Sequence, residues 1–197
     1  MELEKFILQE KTLGQILDET LAKFPDNDAF IYVDSDLRQT WKEFAHDVDL
    51  LGKGLMALGV QKGEIIAVWA PNAPHWVTLM LAAARIGAII LTVNTTHKEN
   101  ELAYLLSHSG CQNLFLAEGF KDNDFIQTLY GVVPEMRTQD REHFHCPSLP
   151  SLKRCMLFGT ETHRCMYGIN EIMTLAEQTN TQEYEERKHS VKPEATV

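Results

Sequence analysis

The chain has 197 residues, 44% hydrophobic and 23% charged, which is apolar enough for a sizeable core and unlike a disordered composition. Eighteen Lys+Arg against 28 Asp+Glu leave a net charge of −10, so the clustered cations that hold a nucleic acid or an anionic membrane are not expected. Met1-Glu2-Leu3-Glu4-Lys5-Phe6 lacks the basic and apolar regions of a secretory signal, and Cys111, Cys146, Cys155 and Cys165 contain no C-x-x-C pair, which together read as a reduced, cytoplasmic protein.

Leu13, Ile16, Leu17, Leu21 and Phe24 recur at helical spacing behind Thr12, an N-cap residue, and Pro25-Asp26-Asn27-Asp28 stops that helix. Ala29–Val33 and Leu37–Thr40 flank Asp34-Ser35-Asp36 as a small hairpin. Thr40-Trp41-Lys42-Glu43 spells a capping box, and Phe44, Val48, Leu51, Leu55 and Leu58 make the apolar stripe of a long helix that Gly59 closes. Ile65–Trp69 is a continuous apolar run, the pattern of a strand buried on both faces. Trp76–Val93 is almost unbroken apolar sequence, yet Arg85 near its middle would cost about 2.5–3.5 kcal/mol in a bilayer. Arg85 and Gly87 instead divide it into a helix, a stop and a strand, Ile89–Val93, so no transmembrane segment is expected.

Thr96-His97-Lys98-Glu99 reads as a second capping box, opening a helix with Leu102, Leu105 and Leu106 inward and Gly110 after it. Asn113–Ala117 is a third strand and Asp124–Val132 a third helix before Pro134. Arg137–Pro150 reads as a loop, Leu152–Phe158 as a fourth strand and Ile169–Gln178 as a further helix. The expectation is an α/β fold with a mainly parallel sheet and helices on both faces. It forms a single unit over 1–197: a helical and hairpin opening over 1–60, strand–helix repeats over 61–179 and a polar, exposed connection over 180–197. Val197 falls where a new apolar segment is starting, so the chain reads as cut.

Sites are harder to find. Gly52-Lys53-Gly54 with Gly59 is not G-x-G-x-x-G and lies on a helix, and no G-x-x-x-x-G-K-[ST] occurs. Ligands of open α/β sheets bind at the carboxyl ends of strands, here Pro71-Asn72, Asn94-Thr95 and Glu118-Gly119, where asparagine serves a turn or cap as readily as a ligand. His143, His145, Cys146, Cys155, His163 and Cys165 offer thiolates and imidazoles within a short stretch, without the pair spacings of a zinc module. His163 with Cys165 lacks a third orienting group, and Ser107-His108-Ser109 before Gly110 reads as a helix terminus. No residue is assigned as catalytic, cofactor-binding or metal-ligating.

Thr40-Trp41-Lys42-Glu43-Phe44, Leu58-Gly59-Val60, Lys62-Gly63-Glu64, Pro71-Asn72-Ala73-Pro74, Ile86-Gly87-Ala88, Val93-Asn94-Thr95 and Tyr104-Leu105-Leu106, in this order, resemble the opening of adenylate-forming enzymes (the AMP-dependent synthetase and ligase superfamily). Gly119-Phe120-Lys121-Asp122 and Leu149-Pro150-Ser151-Leu152-Lys153-Arg154 are similar to its fatty-acyl-CoA synthetase branch. His97 departs from the aromatic residue common there. The resemblance implies the first subdomain of the large N-terminal domain. It implies a parent ligase that uses ATP, Mg2+ and coenzyme A to turn a fatty acid into its acyl adenylate and then its thioester. The family's Gly- and Thr-rich phosphate loop, adenine motif, ribose-binding Asp and C-terminal Lys have no counterpart in 1–197, so the fragment itself is expected to be inactive, without its own cofactor, and to partner the remainder of its enzyme. Two alternatives stand beside this reading. One is a free-standing interaction module, self-associating through an exposed sheet edge; the other is a small metal-binding protein built on His143–Cys165.

Overall fold

Thr12 explains where the first helix begins. Its hydroxyl accepts from the Gln15 amide while the Gln15 side chain accepts from the Thr12 N–H, and α1 (Leu13–Lys23) follows. The computed structural model describes residues 10–33, 36–159 and 161–196. It continues with an antiparallel hairpin of β1 (Asp28–Tyr32) and β2 (Leu37–Thr40). Of the acidic turn between them, Asp34 and Ser35 lie outside the described residues. The second capping signal is met as written: Glu43 accepts from the Thr40 N–H at 2.9 Å, Thr40 accepts from the Glu43 N–H at 3.3 Å, and α2 (Trp41–Ala57) turns Phe44, Val48, Leu51 and Leu55 into the core.

From there strands and helices alternate: β3 (Ile65–Trp69), α3 (Pro74–Ile86), β4 (Ile89–Thr92), α4 (Glu99–Ser109) and β5 (Asn113–Leu116). A short hairpin, β6 (Gly119–Phe120) and β7 (Asn123–Asp124), leads into α5 (Phe125–Val132). Then come β8 (Arg154–Leu157), β9 (Met166–Gly168), α6 (Ile169–Thr174) and α7 (Thr181–His189). Gly87 and Gly110, at φ of 72° and 64°, close α3 and α4 in the left-handed region, as their positions in the sequence predict.

Five strands form one sheet in the order β4-β3-β5-β8-β9, every neighbouring pair parallel. The period-two geometry of a strand splits its side chains between two cores. Ala67, Trp69, Leu114, Leu116, Cys155 and Leu157 face the cluster that includes Leu102, Leu106, Phe125 and Leu129 from α4 and α5. Ile66, Val68, Phe115 and Met156 face the other, with Leu17, Leu51, Leu55, Leu79, Ile172 and Tyr184 from α1, α2, α3, α6 and α7. Burial on both faces is why these strands read as unbroken apolar runs.

Four differences from the sequence reading have local causes. The helix α4 starts after Lys98 instead of Thr96, because Thr96 turns back to the Asn94 side chain and Glu101 accepts from the Lys98 N–H at 3.1 Å. The loop over 137–150 includes the short 3-10 turn Arg141–His143, next to a second one at Pro134–Arg137. A fifth strand, β9, is too short for its three residues to show alternation. The stretch read as a polar connection after Asn180 contains α7, a hydrophilic helix whose single buried side chain, Tyr184, leaves no periodic trace.

Candidate functional site

The strand order locates the crevice. The third strand, β3, lies between β4 and β5, so the chain steps from β3 to one side and returns past it to the other. In open α/β sheets such a reversal leaves a cleft outside the carboxyl ends of the two diverging strands, here β3 and β5. Trp69 ends β3; its ring stacks on Phe125 at 4.0 Å and its Nε1–H donates to the Asn94 carbonyl at 3.1 Å.

Around that ring the strand-end residues form a fixed turn. Asn94 Oδ1 accepts from both the N–H and the hydroxyl of Thr96 at 2.9 Å. Asn123, a buried amide on β7, donates to the carbonyls of Thr95 at 3.0 Å and His97 at 2.9 Å while accepting from Lys98 Nζ at 2.8 Å. On the other flank the Asn72 carbonyl accepts from the Tyr32 hydroxyl. Asn72, Asn94 and Thr95 thus spend polar groups on the fold itself, the turn role open to them in the sequence. Beyond Glu118 the β6–β7 hairpin presents Phe120 and Lys121, with the ammonium 5.3 Å from the ring centroid and Lys121 at a φ of 52°.

Electrostatics at this edge disfavour a polyphosphate. A helix N-terminus can receive a phosphate because its first amides are unpaired and its dipole is positive. Here α4 opens with Glu99 and Glu101, and the latter's own N–H and that of Lys98 hold its carboxyl below the usual range. Similarly, the Asp124 carboxylate caps α5 by accepting from the Gln127 N–H at 2.9 Å. The first turn of α6 contains Glu171, which grips Arg141 through two bonds of 2.8 and 2.6 Å. Acidic side chains thus stand in the first turns of α4 and α6 and one caps α5, while α3 opens on Pro74, which has no N–H to offer. Gly52 and Gly54 are packing residues, not a phosphate loop: a Cβ on Gly52 would stand 3.1 Å from Tyr184 and one on Gly54 1.9 Å from the Ile172 carbonyl.

The thiol and imidazole groups of residues 143–165 separate. Cys111, Cys146, Cys155 and Cys165 are all buried, in one apolar cluster, whereas His143 and His145 are exposed on their loop. Burial pushes the Cys111 thiol up to about 11 and raises those of Cys155 and Cys165, the reverse of what a nucleophile or a metal-binding thiolate needs. His108 stacks on Tyr104 at 5.3 Å at the end of α4, and Ser109 bonds the Leu106 carbonyl at 3.3 Å, a helix terminus. Sequence reading missed two features: a pocket of about 330 Å³ walled by Phe30, Trp41, Phe44 and Trp76, and the approach of Glu118 to Glu161 and His163. Both join segments far apart in the chain.

The family model described as AMP-binding enzyme matches residues 17–191. This chain belongs to the AMP-binding enzymes. As such it is 31% identical over 184 residues to YngI of Bacillus subtilis (strain 168), provisionally named an acyl-CoA synthetase, covering 93% of this chain and 34% of that protein. It is 32% identical over 145 residues to the mitochondrial medium-chain acyl-CoA ligase ACSF2 of Homo sapiens, covering 74% of this chain and 24% of that one. Its fold matches a long-chain-fatty-acid-CoA ligase (FadD1) from Archaeoglobus fulgidus with a TM-score of 0.68 at 19% identity, over 89% of this chain and 32% of that one. It also matches the N-terminal domain of FACL13 from Mycobacterium tuberculosis with a TM-score of 0.62 at 20% identity, over 88% of this chain and 38% of that one. This AMP-binding enzyme chain corresponds to an N-terminal part of such proteins and spans about a third or less of the curated relatives' length.

Proposed function

We propose that these residues are the N-terminal scaffold of an ATP-dependent fatty-acid–CoA ligase, and that alone they neither adenylate a fatty acid nor bind ATP tightly. In the whole enzyme a carboxylate and ATP would give an acyl adenylate and pyrophosphate, and coenzyme A would then displace AMP. The family match over 17–191 and the likeness to acyl-CoA ligases support the first part. The carboxylates on the helix N-termini at the carboxyl edge support the second.

The scaffold's part is to hold the carboxyl edge in one arrangement. Trp69, Asn94 and Asn123 tie the ends of β3, β4 and β7 together, so a cleft beside them keeps its shape. We read 1–197 as one unit, because α7 is bonded back onto α1 and α2. A reducing, cytoplasmic setting suits four free, buried cysteines. Among the described residues no helix is long and apolar enough to cross a membrane.

Magnitude decides the ATP question. A few neutral hydrogen bonds from strand-end groups contribute about 0.5–1.5 kcal/mol each, whereas micromolar affinity needs about 8.2 kcal/mol. Calorimetric titration of the chain with Mg–ATP, beside a pyrophosphate-release assay with octanoate and coenzyme A, tests this. No saturable heat and no pyrophosphate are expected; micromolar binding or turnover by the chain alone would refute the proposal.

A further inference from the structure

The carboxyl edge gathers three metal-ligating groups that lie apart in the sequence. Glu118 follows β5, while Glu161 and His163 lie in the connection from β8 to β9, and one ligand atom of each is within 4.8 Å of the other two. His163 separates this trio from a chance meeting of exposed acids. Its Nε2 is buried and has no hydrogen-bond partner among the described residues, and the nearest Glu161 oxygen stands 3.8 Å away, beyond hydrogen-bond length. A buried ring nitrogen left without a partner calls for an explanation, and a bound ion is one. Gly159 lies beside the second ligand: a Cβ there would come within 2.2 Å of Glu118 Oε1 and make that flexible carboxylate swing aside. A cavity of about 160 Å³, walled in part by Glu161, Thr162, His163 and Asn170, lies alongside.

One imidazole and two carboxylates form a mixed nitrogen and oxygen set. Magnesium favours six oxygens and keeps most of its waters, whereas zinc takes imidazole and carboxylate together at about 2.0–2.2 Å, often with three protein ligands and one open position. Tetrahedral bonds of that length put ligand atoms about 3.4 Å apart. The ligand atoms, all within 4.8 Å of one another, would have to close by at most about 1.4 Å, and both glutamates are exposed. We propose that Glu118, Glu161 and His163 form a zinc site whose fourth position faces the adjoining cavity. The site stitches the end of β5 to the connection between β8 and β9. It uses none of the cysteines and does not depend on the ligase reading.

The test is a titration of the tag-free, chelator-stripped 197-residue chain with zinc chloride, followed by calorimetry and native mass spectrometry, with magnesium chloride in parallel. One zinc per chain is expected, with no magnesium bound at the same concentration. His163→Ala and Glu118→Gln should each weaken zinc at least about tenfold, and Gly159→Ala should act in the same direction by displacing Glu118. Glu161→Gln, on an exposed side chain, repeats the test should the His163 variant fold poorly. Cys146→Ser and Cys155→Ser should leave zinc affinity unchanged. Absence of a zinc complex, affinity indifferent to Glu118→Gln and Glu161→Gln, or loss of zinc in Cys146→Ser would each overturn the proposal.

Discussion

Gly54 shows how tertiary contact overrules local preference. In the middle of α2 alanine would be favoured over glycine by about 1 kcal/mol. The α6 backbone, however, approaches so closely that a Cβ would stand 1.9 Å from the Ile172 carbonyl oxygen, which has no flexible end to swing away. Gly54→Ala should therefore destabilise the fold, by about 1–3 kcal/mol net, read as a lower urea midpoint at unchanged slope. One residue on, Leu55 is fully buried, and Leu55→Ala should cost about 2–5 kcal/mol by the same measurement. Glu64 makes a pH prediction. Burial at the start of β3 raises its carboxyl, but Lys153 at 2.6 Å, the Asn113 amide at 3.1 Å and a backbone N–H outweigh this and hold it below its ordinary value of 4.5. A depressed folded value means stability that is present above 4.5 and lost as pH falls through the lower, folded value. Denaturant midpoints measured across that acid range should fall less steeply for Glu64→Gln than for the parent; equal slopes would remove Glu64 from the account.

At the scale of elements, legibility followed the number of side chains each element buries. The helix α2 buries a whole stripe and opens with its own capping box, so its limits could be read from one window of sequence. By contrast, α7 is held by one ring and a set of charges. Tyr184 donates to Asp49 at 2.6 Å, Arg85 is buried with bonds to Asp49 and Asp18, and Lys188 reaches Asp18 at 3.1 Å. Burial alone would lower the Arg85 guanidinium; Asp49, Tyr184 and Asp18 together keep it charged. Those partners come from four helices, and nothing near Tyr184 in the chain announces them. Removing the ring should undock α7 without unfolding the sheet. Tyr184→Ala should cost about 3–5 kcal/mol locally, seen as lost hydrogen-exchange protection over 181–189 while β3 and β5 stay protected. Protection unchanged over 181–189 would show that the helix stands on its own propensity.

For the molecule as a whole, the two cores share one sheet, so both should be lost in one denaturant transition. All four thiols lie in the same cluster, on the α4 and α5 face, with that of Cys111 pushed up to about 11. In the native state they should resist an aromatic disulfide reagent and become reactive together across the denaturant transition that abolishes helical circular dichroism. A thiol that reacts at once in buffer would mean that its part of the cluster opens locally. The carboxyl edge belongs to this scale too, since its parts come from the ends of β3, β4, β5 and β8.

By itself the sequence determined the kinds and positions of most elements, because capping boxes, glycine stops and apolar runs act within one or two turns of chain. It also determined that no glycine-rich phosphate loop is present in these residues. The order β4-β3-β5-β8-β9 and its reversal at β3, the docking of α7 and the meeting of Glu118 with His163 were decided only by the tertiary structure. Each depends on atoms brought together across long loops, and periodicity has no record of which face or edge a distant residue will meet.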